Sequence, residues 1–419
     1  MTDKLKESIS RKDVEEGKCQ YLPDSKGYYL RHKNTNRGWI PVYAQTNDHT
    51  AKVAGIPLKE FYNDPFKFVA AQISVQSYYG FDSIGFSNDV YNFEAEALGA
   101  RLIYSDDVMP SIDTLDPLIK KPSDLGKLKT PNFLTDGRFP YQMEIFRQKK
   151  EIGINQANFC GPLSLAVALR SYQLFLNDLM DDQVFVQDFM RFIIDQVIMP
   201  YIKNVHQHLG ITEFRGSDAT ATIPLFSPAM LEKVILPWNL DIIQKGRDMG
   251  VNSFVYCPGI YGHELPEQFD ESLLSRCYDF SVASLGESNI VLRISRQLEH
   301  SLEPFLKYAL DLKSRYPKNP VRIQIRLYPS LLREGPIEKI IYYVKKMIDT
   351  FCPEFQGVSI VVAGLSTETP PEHIHAAVQS AHYYGQLPYQ FIDDNTSFKP
   401  RRRESYRDFI NFIKSEEGK

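Results

Sequence analysis

Residues 321–363 read VRIQIRLYPSLLREGPIEKIIYYVKKMIDTFCPEFQGVSIVVA. The first seven residues form a short β-rich run that ends at Tyr328-Pro329, and residues 358–363 form another. Between them, residues 336–351 place apolar side chains at positions 337, 340, 341, 344, 347, 348 and 351, which is a helical period. Parallel neighbouring strands need a long crossover, usually a helix. The stretch therefore predicts one strand–helix–strand unit of a parallel sheet covered by helices.

The same alternation extends outward. Upstream lie a strand at 289–295 and a helix at 301–315, and downstream a helix at 371–384. Further back, a helix over 227–249 opens at Ser227-Pro228, with proline in its first turn, and leads to a strand at Asn252–Tyr256. Residues 164–176 and 182–209 read as long helices, the second starting after the capping pair Asp181-Asp182. Ser83-Ile84-Gly85-Phe86 reads as a strand preceded by a helix over Asp64–Tyr79, and the ordered pattern begins at Trp39-Ile40-Pro41-Val42. This many repeats favour a closed (β/α)8 TIM barrel, an α/β fold, over an open doubly wound sheet. The predicted layout is a polar extension at 1–38, a barrel at 39–395 and a tail at 396–419 that carries the basic patch Lys399-Pro400-Arg401-Arg402-Arg403.

Composition narrows the functional classes. A net charge of −4 over 419 residues gives no electrostatic reason to expect nucleic acid. Five cysteines (Cys19, Cys160, Cys257, Cys277 and Cys352) include no CxxC pair, which points to a reducing compartment, so a cytoplasmic protein is expected. The charged N-terminus has no apolar core of a signal peptide, and no apolar run approaches the ~18 residues of a membrane span. No GxGxxG, P-loop or GxSxG motif occurs.

Several segments, in order, resemble the uroporphyrinogen decarboxylase superfamily, which includes methyltransferases that move methyl groups between corrinoids and thiols. They are Gly80–Asp89 (GFDSIGFSND) running into Glu94–Gly99 (EAEALG), Gly161–Ala166 (GPLSLA), Ser227-Pro228-Ala229-Met230 with Leu236-Pro237, Tyr328–Gly335 (YPSLLREG) and Thr369–Ile374 (TPPEHI). The EAEALG stretch is similar to the methyltransferase branch. The resemblance implies a barrel, often dimeric, with a deep cleft for a tetrapyrrole or for the corrinoid of a partner protein.

It also exposes departures. The decarboxylases' arginine-rich RQAGR motif is missing, with only Arg31 and Arg37 in that region. Their tyrosine after the GPxxL turn falls on Ala168, and their late histidine on Ala363. Asp89 matches their central aspartate only with one extra residue before Ala97-Leu98-Gly99. In the methyltransferases a zinc ion holds a thiolate nucleophile, and zinc lowers the thiol's pKa. The resemblance places the ligands at a mid-chain His-x-Cys and a late Cys. Here Cys257 is kept, Val255 stands in the histidine position, and Ala363 in that of the late cysteine. His263 and Glu264 in the loop after Cys257, with Cys277, offer other metal-competent atoms, against the plainer reading of a buried cysteine and a hydrogen-bonded loop histidine.

Strand ends at the C-terminal face of a barrel carry its chemistry. The catalytic candidates are accordingly Asp89, Glu94, Asp218 and His263. The substrate-binding candidates are Asp48, His49, Asn88, Ser164, Tyr256 and Tyr261, and the candidate metal ligands are Cys257 and His263. Glu94 and Glu96 cannot share a helix face, so one of them is expected to be a cap or salt-bridge partner. Asn47-Asp48-His49 could instead cap a helix, and Asp218 could cap the turn that follows it. His206 and His208 read as surface residues, His373 and His375 as structural ones. The expected activity is methyl transfer with a corrinoid protein, on a small methylated substrate or a thiol. The alternatives are a carboxy-lyase acting on a tetrapyrrole or other carboxylated substrate, and a barrel that binds without chemistry.

Overall fold

The first strand of the sheet lies beside the last. In the computed structural model, which describes residues 20–33, 38–86, 91–106, 108–222, 225–251, 253–258, 271–285, 290–294, 302–393, 398–401 and 405–416, the strands are β1 (Val42–Gln45), β2 (Leu102–Ile103), β3 (Ser111–Ile112), β4 (Gln156–Cys160), β5 (Glu213–Asp218), β6 (Ser253–Pro258), β7 (Val291–Ile294), β8 (Arg322–Leu327) and β9 (Gly357–Ala363). All but β2 and β3, which form a small antiparallel hairpin, run parallel in two arcs, β7-β8-β9-β1 and β4-β5-β6. The pairing of β1 with β9, from Val42↔Ile360 to Gln45↔Ala363, is the closing seam of a barrel. On its other side β1 meets Ser83 through a parallel bridge at Tyr43, so residues 83–86 fill the second of the eight barrel positions.

That second position is held by an unusual contact. Gly85 packs so close to β1 that an added Cβ would lie 2.2 Å from the Ala44 carbonyl oxygen. Its backbone is paired by a side chain of helix Pro65–Tyr79: Gly85 N–H donates to Gln76 Oε1 (2.7 Å), and Gln76 Nε2 donates to Gly85 O (2.6 Å). A helix amide thus does the work of a ladder neighbour.

Alternation along the strands separates the core from the lumen. Ile323, Ile325 and Leu327 of β8, Ala157 and Phe159 of β4 and Phe214 of β5 are buried under the helices. Their neighbours on the other face, Arg322, Gln324 and Arg326, Gln156 and Asn158, and Glu213, Arg215 and Ser217, are partly or fully accessible. Barrel lumens are commonly filled by branched apolar side chains. Among the described residues this one carries partly accessible polar side chains from β4, β5 and β8 beside the buried Val361 and Ala363 of β9.

The helices follow from capping and period, with one correction. The predicted helix over 164–176 is two helices, Pro162–Arg170 and Tyr172–Asp181, broken at Ser171, whose φ is 64°. The break turns Arg170 inward, where it donates to both oxygens of Asp178 (2.7 and 3.0 Å) and to Ile119 O (3.1 Å). Satisfying a buried guanidinium outweighs continuing one helix. Asp182 caps the next helix by accepting from Phe185 N–H, and Ser227 caps helix Pro228–Met230. Helices Ser25–His32 and Ser405–Glu416 pack over helix Pro65–Tyr79, with Phe412 against Tyr28 and Tyr78. At the N-terminal rim of the barrel, Asp82 accepts from Trp39 Nε1 (3.0 Å) and Val42 N–H (2.7 Å) and meets His382 Nε2 (3.0 Å). No described helix is long and apolar enough to cross a membrane.

Candidate active site at the barrel mouth

The C-terminal ends of the strands share one rim, and two carboxylates are built into it between β4 and β5. The chain after β4 turns at Gly161, whose N–H donates to Ser217 O (2.7 Å). Asp218 presses against this glycine. Its Oδ1 accepts from Ser164 N–H (2.7 Å) and Ser164 O–H (2.6 Å), and its Oδ2 from Leu163 N–H (3.2 Å). An aspartate at the first turn of helix Pro162–Arg170 is favoured there by the orphan N–H groups and the helix dipole. Thr220 N–H donates back to Ser164 Oγ (3.1 Å). Ser164 and Asp218, two of the expected site residues, thus form one cluster.

Glu94 enters from the other side. It is fully buried, and its Oε1 accepts from Cys160 N–H at the end of β4 (2.8 Å). Glu96, two residues on, points outward and accepts from Arg138 Nε (2.8 Å). Burial pushes the Cys160 thiol well above the usual thiol range, and the charges of Glu94 and Asp218 add to this. Tyr91 Oη sits 3.0 Å from Ser217 Oγ. Burial raises the Tyr91 phenol, partly offset by the bond to Ser217 and by the charge of Arg326. From β8, Arg326 Nη2 donates to Gln45 Oε1 at the end of β1 (3.2 Å).

The residues after β1 mostly bind protein. Asp48 Oδ1 accepts from Tyr62 O–H (2.5 Å) and its Oδ2 from Met109 N–H (3.2 Å), which ties the segment joining β2 and β3 to the rim. Burial raises the Asp48 carboxyl against these two bonds. His49 is bonded through Nδ1 to Ser366 O (3.2 Å) and through Nε2 to Tyr79 Oη (2.7 Å). A carbonyl can only accept, so Nδ1 carries the proton and the Tyr79 hydroxyl donates to Nε2. Burial lowers the His49 pKa to about 4, so it stays neutral. Asn47, before them, has a φ of 36°, and its buried Oδ1 finds no hydrogen-bond partner among the described residues.

Other expected residues cannot be placed in this way. Asn88, Asp89, Tyr261, His263 and Glu264 lie outside the described residues, and only the backbone of Tyr256 and Cys257 is described, in β6 beside Gly216 and Ser217. Val255 pairs with Arg215 and Ala363 with Gln45, and neither Val255 nor Ala363 carries a metal-binding atom. The described residues include no group of three or more His, Cys, Asp or Glu able to hold a metal ion. At the two positions that the resemblance assigns to a histidine and a late cysteine, the chain thus offers no zinc-binding side-chain atom. A groove of about 940 Å3 among helices Leu236–Asp248, Glu271–Leu285 and Leu302–Arg315 contains none of the rim residues.

Motif reading missed Arg326, Gln45, Tyr91 and Ser217. For Arg326 the signal was in the sequence: Arg322-Ile323-Gln324-Ile325-Arg326 alternates long polar residues with aliphatic ones in a strand that would usually be apolar on both faces.

A parallel barrel closed by its first and last strands, with carboxylates and hydroxyls at its C-terminal rim, defines a (β/α)8 protein of enzyme type. The chain belongs to the uroporphyrinogen decarboxylase family: the model described as Uroporphyrinogen decarboxylase (URO-D) matches residues 30–384. Among solved structures, the chain is similar to one titled methyltransferase from Methanosarcina mazei. The TM-score is 0.63 at 17% identity, over 87% of this chain and 99% of that one. At that identity the likeness carries the fold. No curated protein matches the chain in sequence.

Proposed function

We propose that the chain is a methyl-transfer enzyme working with a corrinoid protein, and that its barrel handles a proton instead of a zinc-bound thiolate. The observation that carries this reading is the make-up of the rim. Glu94, Tyr91 and Ser217 bring exchangeable protons or acceptors together beside Cys160, while two of the three usual ligand positions carry no donor. The solved structure titled a methyltransferase supports it at the level of fold.

The corrinoid supplies a cobalt centre able to take or give a methyl group. The barrel must then protonate the heteroatom that loses the methyl, or remove a proton from the acceptor that gains it. Glu94, a carboxyl out of water and fixed by the Cys160 amide, is the proton carrier, and the Tyr91–Ser217 pair orients the substrate. One observation favours a second reading, a carboxy-lyase: the Arg326 guanidinium in the lumen suits a carboxylated substrate.

The test mixes the purified protein with methylcobalamin and a panel of thiols and amines, or with cob(I)alamin and methylated amines and thioethers. The visible spectrum reports the cobalt state. Methyl transfer by the wild type, slowed at least tenfold in Glu94→Gln, is the expected result. The amide of that variant still accepts from Cys160 but cannot carry the proton. Carbon dioxide release with no change in the corrinoid spectrum would favour the carboxy-lyase.

A further inference from the structure

We infer that Asn47 is a substrate-binding residue whose side-chain oxygen accepts a hydrogen bond from an N–H or O–H group of the ligand. The inference rests on reading the rim as the substrate chamber, and it deepens that reading by naming the polar group that the substrate carries.

Position comes first. Asn47 lies two residues past Gln45, the last residue of β1, and opens helix Asn47–Ala54. The chain stands there at the C-terminal rim, where the catalytic groups of a (β/α)8 barrel gather. Its neighbours in sequence are spent on the protein. Thr46 bonds to Gln72 (2.8 Å), Asp48 to Tyr62 and Met109, and His49 to Tyr79 and Ser366.

Two departures from ordinary structure coincide on Asn47. Its φ of 36° lies in the left-handed region, and among the described non-glycine residues only Ser171 shares that sign. At Ser171 the conformation serves the fold, because the break brings Arg170 to Asp178. Asparagine tolerates left-handed backbone partly because its side chain can bond locally. Here Oδ1 makes no such bond: it is buried and has no partner, in a residue only 8% exposed. A buried acceptor left unpaired costs stability, as does the backbone conformation. A residue that carries both costs at the catalytic end of a barrel is one kept for a ligand.

Chemistry gives the ligand. A carboxamide oxygen accepts and cannot donate. It recognises an ammonium, amine or hydroxyl. It gains no hydrogen bond from a thioether or a quaternary ammonium, neither of which has an N–H or O–H to give.

The experiment is ligand-observed NMR titration of the full chain with two pairs of compounds that differ in one donor. They are trimethylammonium against tetramethylammonium, and 2-(methylthio)ethanol against ethyl methyl sulfide. In at least one pair the member with the donor should bind at least tenfold more tightly, and the pair that shows this tells an amine from a hydroxyl. Asn47→Gly suits the left-handed backbone. It should erase the preference and melt no lower than the wild type. Asn47→Asp keeps an acceptor in place and should keep the preference. The inference is overturned if neither pair discriminates in the wild type, if Asn47→Gly retains the preference, or if a folded Asn47→Asp loses it. It is overturned equally if Asn47→Gly melts well below the wild type, since the carboxamide would then be serving the fold. The titration contains no corrinoid and reads no methyl transfer. Donor recognition and methyl transfer can therefore fail independently of one another.

Discussion

Asp218 and Gly161 are packed so tightly that a Cβ on the glycine would lie 2.4 Å from the Asp218 Cβ. The turn after β4 and the end of β5 interlock there, and the Asp218 carboxylate reaches the first turn of helix Pro162–Arg170 because nothing stands between them. Gly161→Ala should cost about 1–3 kcal/mol, the usual cost of overpacking. Adding Asp218→Gly removes the clash, so the double variant should lose less than the sum of the two single variants. Urea unfolding of all four proteins checks this. Strict additivity would mean that the two residues are not coupled.

Lys149 makes stability depend on pH. Its Nζ lies over the rings of Phe146 (5.2 Å) and Phe86 (5.9 Å). Burial, aided by the charge of Arg215 and opposed by Glu213, brings its pKa down to about 7. The unfolded chain keeps that proton to about pH 10. Between these values the unfolded state binds more protons, so stability from this group rises with pH above 7 and is lowest below it. Lys149→Met should stabilise by about 1–4 kcal/mol at pH 6, with the gain shrinking by pH 9. Thermal melts at both pH values decide, and a gain that does not vary with pH would rule the mechanism out.

The described cysteines should resist alkylation. Cys160 lies well above the usual thiol range, and burial pushes Cys277 and Cys352 up to about 12. Only the thiolate reacts. Under native conditions at pH 7.5 iodoacetamide should therefore label peptides carrying these residues roughly tenfold or more slowly than it labels them in urea. Fast native labelling of Cys160 would show a thiolate at the rim and reopen the nucleophilic mechanism.

Acid should loosen the opposite rim. Burial raises the Asp82 carboxyl, but the bond and charge of His382, with the N–H groups of Val42 and Trp39, outweigh it and hold the pKa below the usual range. The stability from Asp82 is therefore present above the unfolded value, about 3.9, and is lost as pH falls through the lower folded value. Asp82→Asn should cost about 1.5–3 kcal/mol at pH 7, the scale of hydrogen bonds to a charged group, and the difference should close toward pH 3. Chemical unfolding across that range measures it.

Much of the barrel could be read from periodicity, because Ile323, Ile325 and Leu327 alternate while residues 336–351 repeat every three to four positions. The break at Ser171 could not be read in that way. LSLAVALRSYQLF keeps a helical apolar pattern straight through it, and what turns Arg170 inward is its bonding to Asp178 and to the carbonyl of Ile119. At the candidate site, strand ends point to the rim of the barrel but not to the direction in which each side chain is turned. Asp48 and His49 sit where substrate residues are expected, yet their polar atoms are engaged by Tyr62, Met109, Tyr79 and Ser366. Glu94 and Glu96 separate correctly because a two-residue step on a helix sends them to different faces. Arg326 and Gln45 meet across an intervening strand, a relation that exists only once the register is known.

The seam between β1 and β9 also governs how the chain is made. Val42 finds Ile360 only after more than three hundred intervening residues have left the ribosome. Until then β1 has one barrel neighbour, the 83–86 segment, and its other edge is open. Pairings this distant in sequence are slow to form and leave strand edges exposed to other chains in the meantime. The nascent N-terminal half is therefore the stretch that most needs protection from aggregation, and any truncation before Ala363 would leave the barrel without the strand that shuts it.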